Sequence, residues 1–401
     1  GALYSNTTAS SNVAVGFNSL YYNTTGTGNG AFGYQALHTN TTASQNTAVG
    51  TNSLYANTTG SNNTASGRDS LRHNTTGYNN QASGYTALAA NTTGYNNTAN
   101  GSYALSANTT GTANVGVGHA VLQQTTTGYN NTATGHAALN LNTTGHNNTA
   151  DGYYALSSNT TGVRNVALGV NSLRLNTTGY SNVVSGYDSM YTNTTGFSNI
   201  ASGYQALYSN TSGKENIAVG EYALFANTTG YNNTVVGRAA MYSNTVGTNN
   251  TAIGNDAGRG SSPSGNITNQ SNIVVLGDNS IANAYIKVAW TVTSDQRDKA
   301  DITSFTHGLD YITQLRPVNY VWDDRSNYED GVSDGSKKKD KLQLGFLAQE
   351  VEAVETSLGI TTDCVVNSED ADHIKITETK LIPILVNAIQ ELTARLEILE
   401  G

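Results

Sequence analysis

The chain has 401 residues with 42 glycines, only 12% charged residues and a formal net charge of −9, so it is long enough for two or three domains but has no basic patch for nucleic acid. No apolar run reaches the roughly 18 residues of a membrane-spanning helix, so no membrane span is expected. The single cysteine, Cys364, excludes an internal disulfide framework and a cysteine-based zinc cluster.

Charge is distributed unevenly along the chain. Residues 1–276 contain 7 Lys+Arg and 6 Asp+Glu, whereas residues 277–401 contain the remaining 12 Lys+Arg and 22 Asp+Glu. The sequence therefore divides into a long, nearly uncharged part and a shorter, acidic C-terminal part.

A 17-residue period runs through residues 1–258. Glycine occupies one column in 15 of 15 repeats, from Gly16 to Gly254, and asparagine occupies another in 15 of 15, from Asn12 to Asn250. Three further columns are nearly uniform: a leucine column starting at Leu3, a small apolar column starting at Ala14, and a second asparagine column starting at Asn6 in which Thr125 is the lone substitute. A fixed period of this kind indicates a repeat architecture rather than disorder.

Each repeat predicts one coil of parallel β-structure. The small apolar column alternates with variable neighbours, which is typical of a short strand with one inward face. The following glycine suits positive φ or close backbone approach, and the Asn-Thr-Thr-Gly segment favours a turn. Identical residues then stack about 4.8 Å apart, and the asparagine columns form amide ladders. We therefore expect an all-β solenoid, or β-roll, over residues 1–258.

The apolar content of one repeat is small, about one leucine and a few alanines or valines. We therefore expect the leucine and alanine columns to face other chains around an axis, with a homotrimer as the closed solution. The segments NVAVGFNSL (12–20) and NTAVGTNSL (46–54) resemble the head repeats of trimeric autotransporter adhesins. That resemblance implies trimeric, left-handed parallel β-rolls, although the period here is longer.

A variable column contains an outward stripe of tyrosines, namely Tyr78, Tyr95, Tyr129, Tyr180 and Tyr231. One interpretation is a glycan-facing surface of aromatic rings. The alternative is that tyrosine suits an exposed β-surface and stacks on its neighbours. The histidines His119, His136 and His146 are surface variants and not a metal set.

The repeat ends in a Gly/Ser/Pro/Asn-rich connection, and we assign residues 259–293 as a connector with one strand-like stretch, 271–290. Residues 307–322 predict a helix and then a strand, with Pro317 at the break. A polar loop (323–341) leads into a strand and short helix over 342–354. Residues 294–401 are thus expected to form a small α+β domain.

The last helix has apolar residues at alternating spacings of three and four. This heptad seam predicts packing against copies of itself or against the rest of the domain. Its members are Ile382, Leu385, Ile389, Leu392, Leu396 and Leu399.

The stretch TSDQRDKADI brings dense charge to the end of an uncharged chain. One interpretation is a solvated turn at a domain boundary. The other is a nucleophile, Ser294, with Lys299 as its base. A lysine in water has a pKa of about 10, so a lysine base must be buried. Five residues apart, the two side chains would meet only through a bend or across two chains.

Residues 291–400 resemble the C-terminal intramolecular chaperone of endosialidase-type phage tail spikes and fibres. The pattern S-D-x-R-x-K-x-D-I is followed in order by GLDYITQLRPVNYVW, GFLAQEVEAV and LIPILVNAIQELTARLEIL. The resemblance implies a domain that trimerises, guides a β-structured fibre into register and cuts itself off. It implies a Ser294–Lys299 dyad, a cut at Thr293–Ser294, and site-shaping roles for Asp295 and Arg297.

The sequence therefore favours a trimeric phage tail fibre or spike, located in the virion, with a single-turnover self-cleaving serine peptidase domain and no cofactor. Its partners would be two further copies and a host-surface receptor, expected to be a glycan. The alternative is a secreted or cell-surface bacterial adhesin with the same chaperone. A polysaccharide-degrading enzyme is disfavoured because no column pairs two carboxylates.

Overall fold

The computed structural model describes residues 1–281, 283–285, 287, 292–325, 328–329, 331–360, 364–367 and 374–400. The chain forms two compact units, one comprising Gly1–Ser262 with Asn266–Asp278 and the other Pro263–Gly265 with Asn279–Gly401. Within these described ranges, no helix is both long and apolar enough to cross a membrane.

The first unit is a parallel β-solenoid with one three-residue strand per coil. Among the described residues its strands form one 16-stranded sheet in chain order. The strands are β1 (Val13–Val15), β2 (Gly30–Phe32), β3 (Thr47–Val49), β4 (Thr64–Ser66), β5 (Gln81–Ser83), β6 (Thr98–Asn100), β7 (Val115–Val117), β8 (Thr132–Thr134), β9 (Thr149–Asp151), β10 (Val166–Leu168), β11 (Val183–Ser185), β12 (Ile200–Ser202), β13 (Ile217–Val219), β14 (Thr234–Val236), β15 (Thr251–Ile253) and β16 (Val274–Leu276).

The register of the sheet follows the 17-residue period. Ala14 pairs with Ala31, which pairs in turn with Ala48. The predicted solenoid is therefore confirmed. The last step is longer, because Thr251 pairs with Val274 across the Gly/Ser/Pro-rich insertion. Among the described residues of the strand-like stretch 271–290, Val274–Leu276 is the one strand, and Trp290 lies outside the described residues.

The leucine and alanine columns lie inside the coils of a single chain. Leu54 and Ala48, for example, are both 0% exposed without any partner chain. The expectation that these columns face other chains is therefore wrong. Each coil is narrow, and one leucine, two small residues and two asparagine side chains fill it. The asparagines supply the interior volume that the apolar residues alone lack.

The narrow coil depends on left-handed backbone at three positions per repeat besides the glycine column. In one repeat these are Asn62 (φ 60°), Asp69 (φ 58°) and Leu71 (φ 50°). The leucine is the unexpected member, because left-handed φ costs a residue with a Cβ roughly 1–2 kcal/mol. The compensation is complete burial of the leucine side chain and a backbone bond to the next coil, such as Leu71 N–H to Ala87 O at 3.0 Å.

The two asparagine columns form the predicted amide ladders. Asn63 N–H donates to Asn46 Oδ1 at 2.9 Å, and Asn74 Nδ2 donates to Asn57 Oδ1 at 2.8 Å. Both ladders also meet at one carbonyl, because Asn63 Nδ2 and Asn74 Nδ2 each donate to Gly77 O at 2.9 Å. These bonds satisfy fully buried amides, which would otherwise be strongly destabilising.

The second unit has an α+β core, as predicted. Strand β17 (Val318–Tyr320) pairs antiparallel with β18 (Gln343–Gly345), and β19 (Val366–Asn367) with β20 (Lys375–Ile376). Its helices are α1 (Leu309–Ile312), α2 (Ala348–Ser357) and α3 (Leu381–Glu400). The β19–β20 pair was not predicted from the sequence.

Buried Tyr311 and Glu355 connect three parts of this core. The Tyr311 hydroxyl donates to Glu355 Oε1 at 2.9 Å, and Val365 N–H donates to the same oxygen at 2.7 Å. Burial, then the bond to Glu355, raises the pKa of Tyr311 well above its usual range, so the phenol remains a donor.

The glycine column provides a direct test of the coil geometry. Gly135 has φ of +116°, and a Cβ there would lie 2.6 Å from Gly152 O of the next coil. We predict that Gly135→Val lowers the free energy of unfolding by at least about 1 kcal/mol per chain, measured by urea denaturation. Thr134→Val, an exposed position in the same coil, is the control. An unchanged midpoint for Gly135→Val would contradict the geometry.

The substitute Thr125 interrupts the second asparagine ladder. Among the described residues, buried Asn108 Oδ1 and Thr125 Oγ1 have no hydrogen-bond partner. Asn142 retains its bond to Gly145 O, but the residue one coil away at position 125 offers it no amide oxygen.

Thr125→Asn is therefore predicted to stabilise the solenoid by about 1–2 kcal/mol, because it pairs a buried acceptor and completes the ladder. Urea denaturation measures the change. Thr125→Val removes the unpaired hydroxyl without completing the ladder and should stabilise less. Equal stability of the two variants would show that the ladder is not the source.

Candidate active site

A short turn separates Ser294 from Lys299. Residues Gln296–Asp298 form a single 3-10 turn, which Asp295 caps by accepting the Arg297 N–H. The turn closes where Lys299 N–H donates to Gln296 O at 3.1 Å. Ser, Asp and Gln residues favour a tight turn. Here the turn reverses the chain between Ser294 and Lys299.

The turn brings the predicted dyad together within one chain. Lys299 Nζ lies 2.6 Å from Ser294 Oγ, which is hydrogen-bond distance. Of the two routes by which these side chains could meet, the structure shows the bend. A proton can pass between the hydroxyl and the amine at this distance without any further movement of the backbone.

Asp295 and Arg297 hold the turn rather than contact the dyad. Arg297 Nη2 donates to Asp295 Oδ2 at 2.6 Å, and Arg297 N–H donates to Asp295 Oδ1 at 2.9 Å. The Arg297 side chain, then its backbone N–H, lowers the pKa of Asp295, while Asp295 raises the pKa of Arg297. Both groups therefore stay charged at neutral pH and maintain the shape of the turn.

The dyad of a single chain is open to water. Thr293, Ser294 and Lys299 are all exposed. A lysine base needs a neutral amine, and water favours the charged ammonium. The geometry for proton transfer is therefore present in one chain, whereas the burial that would activate the amine is not.

The segment that follows the dyad is fixed by α3. Asn387 Nδ2 donates to Phe305 O at 2.7 Å, and Leu309 N–H at the start of α1 donates to Glu391 Oε2 at 3.0 Å. Asn387 and Glu391 were not predicted from the sequence, because polar residues between heptad positions usually face solvent. Their only signal is their place on the helix face that carries buried Ala388.

A second contact fixes the start of α1. His307 Nδ1 lies 2.6 Å from Asp310 Oδ2, and Gly308 N–H donates to Asp310 Oδ1 at 2.9 Å. The bond from His307 is the main cause that lowers the pKa of Asp310.

Helix α3 has two apolar faces with different surroundings. Leu381, Ile384 and Ala388 are buried against the domain. The predicted seam lies on the adjacent face and is 43–82% exposed in the single chain; it comprises Ile382, Leu385, Ile389, Leu392, Leu396 and Leu399. An exposed apolar stripe of this kind is typical of an interaction surface.

The predicted tyrosine stripe lies on the solenoid surface. Its members Tyr78, Tyr95, Tyr129, Tyr180 and Tyr231 are 37–43% exposed. Tyr78 and Tyr95 stack in parallel with ring centroids 4.8 Å apart, so each ring covers one face of the other. Such stacking accounts for tyrosine at these two positions.

The surface histidines also take part in stacking. His119 stacks on His136 at 5.2 Å, and His146 stacks on Tyr129 at 4.5 Å. In the part of the chain that the structure describes, no group of three His, Cys, Asp or Glu residues could hold a metal ion. Cys364 is a free thiol, and burial raises its pKa.

Comparison with known proteins identifies one region. Residues 294–360 match the model of the family described as chaperone of endosialidase. The match begins at Ser294 and includes the turn, α1, β17, β18 and α2. No curated protein matches the chain. The family consists of chaperones of the self-cleaving serine-peptidase type. The match supports the interpretation of the chain as a tail-fibre or spike-type protein with an intramolecular chaperone.

Proposed function

We propose that the chain is a trimeric phage tail fibre or spike whose C-terminal domain aligns three chains and then cuts itself off before Ser294. The observation that carries the proposal is the 2.6 Å contact between Lys299 Nζ and Ser294 Oγ at the first residue of the chaperone match. The solenoid is the fibre, and residues 294–401 are its removable template.

The proposed reaction uses the peptide bond nearest to the nucleophile. A neutral Lys299 amine takes the Ser294 Oγ proton, and the oxygen attacks the Thr293 carbonyl carbon. The C–N bond breaks, and the lysine returns the proton to the departing Ser294 nitrogen. Water then hydrolyses the resulting ester to a Thr293 carboxylate, which restores the Ser294 hydroxyl. No cofactor is required.

Assembly would supply the burial that a single chain lacks. The solenoid core is complete within one chain, so the trimer contact is assigned to the exposed seam of α3. Because Asn387 and Glu391 connect α3 to residues 305–309, packing of the seam would also restrain the segment that follows the dyad. Cutting would thereby be confined to correctly associated chains.

The fibre is proposed to bind a host-surface glycan from the virion. Tyr78 and the rest of its stripe would contact it through their hydroxyls, ring edges and uncovered ring faces, since Tyr78 and Tyr95 cover only one face of each other. A bacterial surface adhesin with the same chaperone is the alternative. A virion-attachment domain encoded upstream of Gly1 would favour the fibre, and a secretion signal there would favour the adhesin.

Two variants test the chemistry. Ser294→Ala is predicted to abolish cutting and leave a full-length trimer, because the nucleophile is absent. Lys299→Ala should do the same, with at most slow residual cutting. Denaturing electrophoresis with intact-mass measurement detects the fragments, and light scattering verifies the trimer. Normal cutting by Ser294→Ala would refute the assigned nucleophile.

A third variant tests the link to assembly. Leu392→Asp places a charge in the seam and is predicted to block both trimerisation and cutting. Ile398→Asp is the matched control, because Ile398 is an exposed apolar residue of α3 outside the seam. A Leu392→Asp chain that stays monomeric yet cuts itself at the normal rate would contradict assembly-gated activation.

A further inference from the structure

A group of lysines in the second unit contacts the chain upstream of the proposed cut. Lys339 Nζ donates to the backbone oxygen of Asn279 at 2.7 Å. Lys341 Nζ makes a longer contact, 3.4 Å, with Asn283 Oδ1. We refer to Lys339 and Lys341 as the connector clamp.

The clamp is held in place by the polar loop from which it extends. The Tyr328 hydroxyl donates to Asp323 Oδ1 at 2.6 Å, and Gly335 N–H donates to Asp323 Oδ2 at 2.9 Å. Lys337 N–H in turn donates to the Tyr328 hydroxyl at 2.8 Å. A loop ordered by its own hydrogen bonds loses little further entropy when it binds a ligand.

Lys339 itself is fixed from two sides. Its N–H donates to Trp322 O at 2.7 Å, two residues beyond β17, and its ammonium donates to the backbone oxygen of Asn279. The residue is half-buried, whereas its neighbour Lys338 is exposed. A partly desolvated, charge-assisted bond to a carbonyl is stronger than an exposed one.

The proposed cut separates the two sides of this contact. Asn279 and Asn283 precede Thr293 and would remain with the fibre, whereas Lys339 and Lys341 would leave with residues 294–401. The contact is therefore a link between the two products that does not depend on the peptide bond.

We propose that the connector clamp binds the connector of the cut fibre as a noncovalent ligand, so that cutting and release are separate steps. This inference rests on the proposed self-cleavage. The partner of the clamp is the fibre's own segment around Asn279–Asn283, recognised through a backbone carbonyl and a side-chain amide. Template removal is then set by dissociation of this segment after the chemistry is complete.

The test separates cutting from release in the full-length chain. Denaturing electrophoresis measures cutting, and size-exclusion chromatography in native buffer measures how fast residues 294–401 dissociate. The double variant Lys339→Met, Lys341→Met should cut to the wild-type extent and release the fragment at least about tenfold faster. Lys338→Met is the matched control and should behave as the wild type. The single variant Lys339→Arg retains a cationic donor and should release the fragment as slowly as the wild type.

Wild-type fragments that separate as fast as those of the double variant would overturn the proposal. Release from Lys338→Met as fast as from the double variant would also overturn it. A double variant that is no longer cut would show that the lysines serve cutting rather than retention. A wild-type chain that never cuts would contradict the proposed function instead. In that event a protease recognition sequence is inserted between Thr293 and Ser294, and the specific protease makes the cut. The release rates of the wild type and the double variant are then compared in the same way to test the clamp.

Discussion

The solenoid depends on a glycine carbonyl that accepts hydrogen bonds from two asparagine columns at once. Gly77 O, for example, receives both Asn63 Nδ2 and Asn74 Nδ2. Asn63 lies 14 residues before Gly77 and Asn74 lies three residues before it, so one carbonyl links the two ladders within each coil. It also lets amide groups fill an interior that would otherwise need apolar side chains, since nearly all of the buried amides are hydrogen-bonded. Among the described residues, the Oδ1 atoms of Asn108 and Asn244 are the exceptions.

Uniform coils create a folding problem that the C-terminal domain can solve. Any coil can stack on any other with nearly the same contacts, so a chain that loops out one repeat loses little interaction energy. Long-range pairing of this kind is also slow and exposes strand edges. A separate α+β domain at one end provides a defined starting point, and its removal would leave a solenoid that reopens only slowly.

Much of this fold could be predicted from the sequence, because strands, turns and ladders follow from which residues recur every 17 positions. The location of the core could not, because it depends on Leu71 and its equivalents adopting positive φ, which leucine does not favour. At the site, Ser294 and Lys299 could be named but their contact could not, since it requires the turn that Asp295 caps. Asn387 and Glu391 match no sequence pattern, because their role depends on which residues of the domain pack against α3.

The central claim is that three chains assemble first and the Ser294 dyad cuts afterwards. Native mass spectrometry of freshly synthesised wild-type chain, sampled over time and repeated under denaturing conditions, measures both events in one sample. The account predicts intact monomers, then intact trimers, and then trimers whose chains end at Thr293, with a complementary fragment beginning at Ser294. Cut chains in the monomer population, or trimers that remain intact indefinitely, would contradict it.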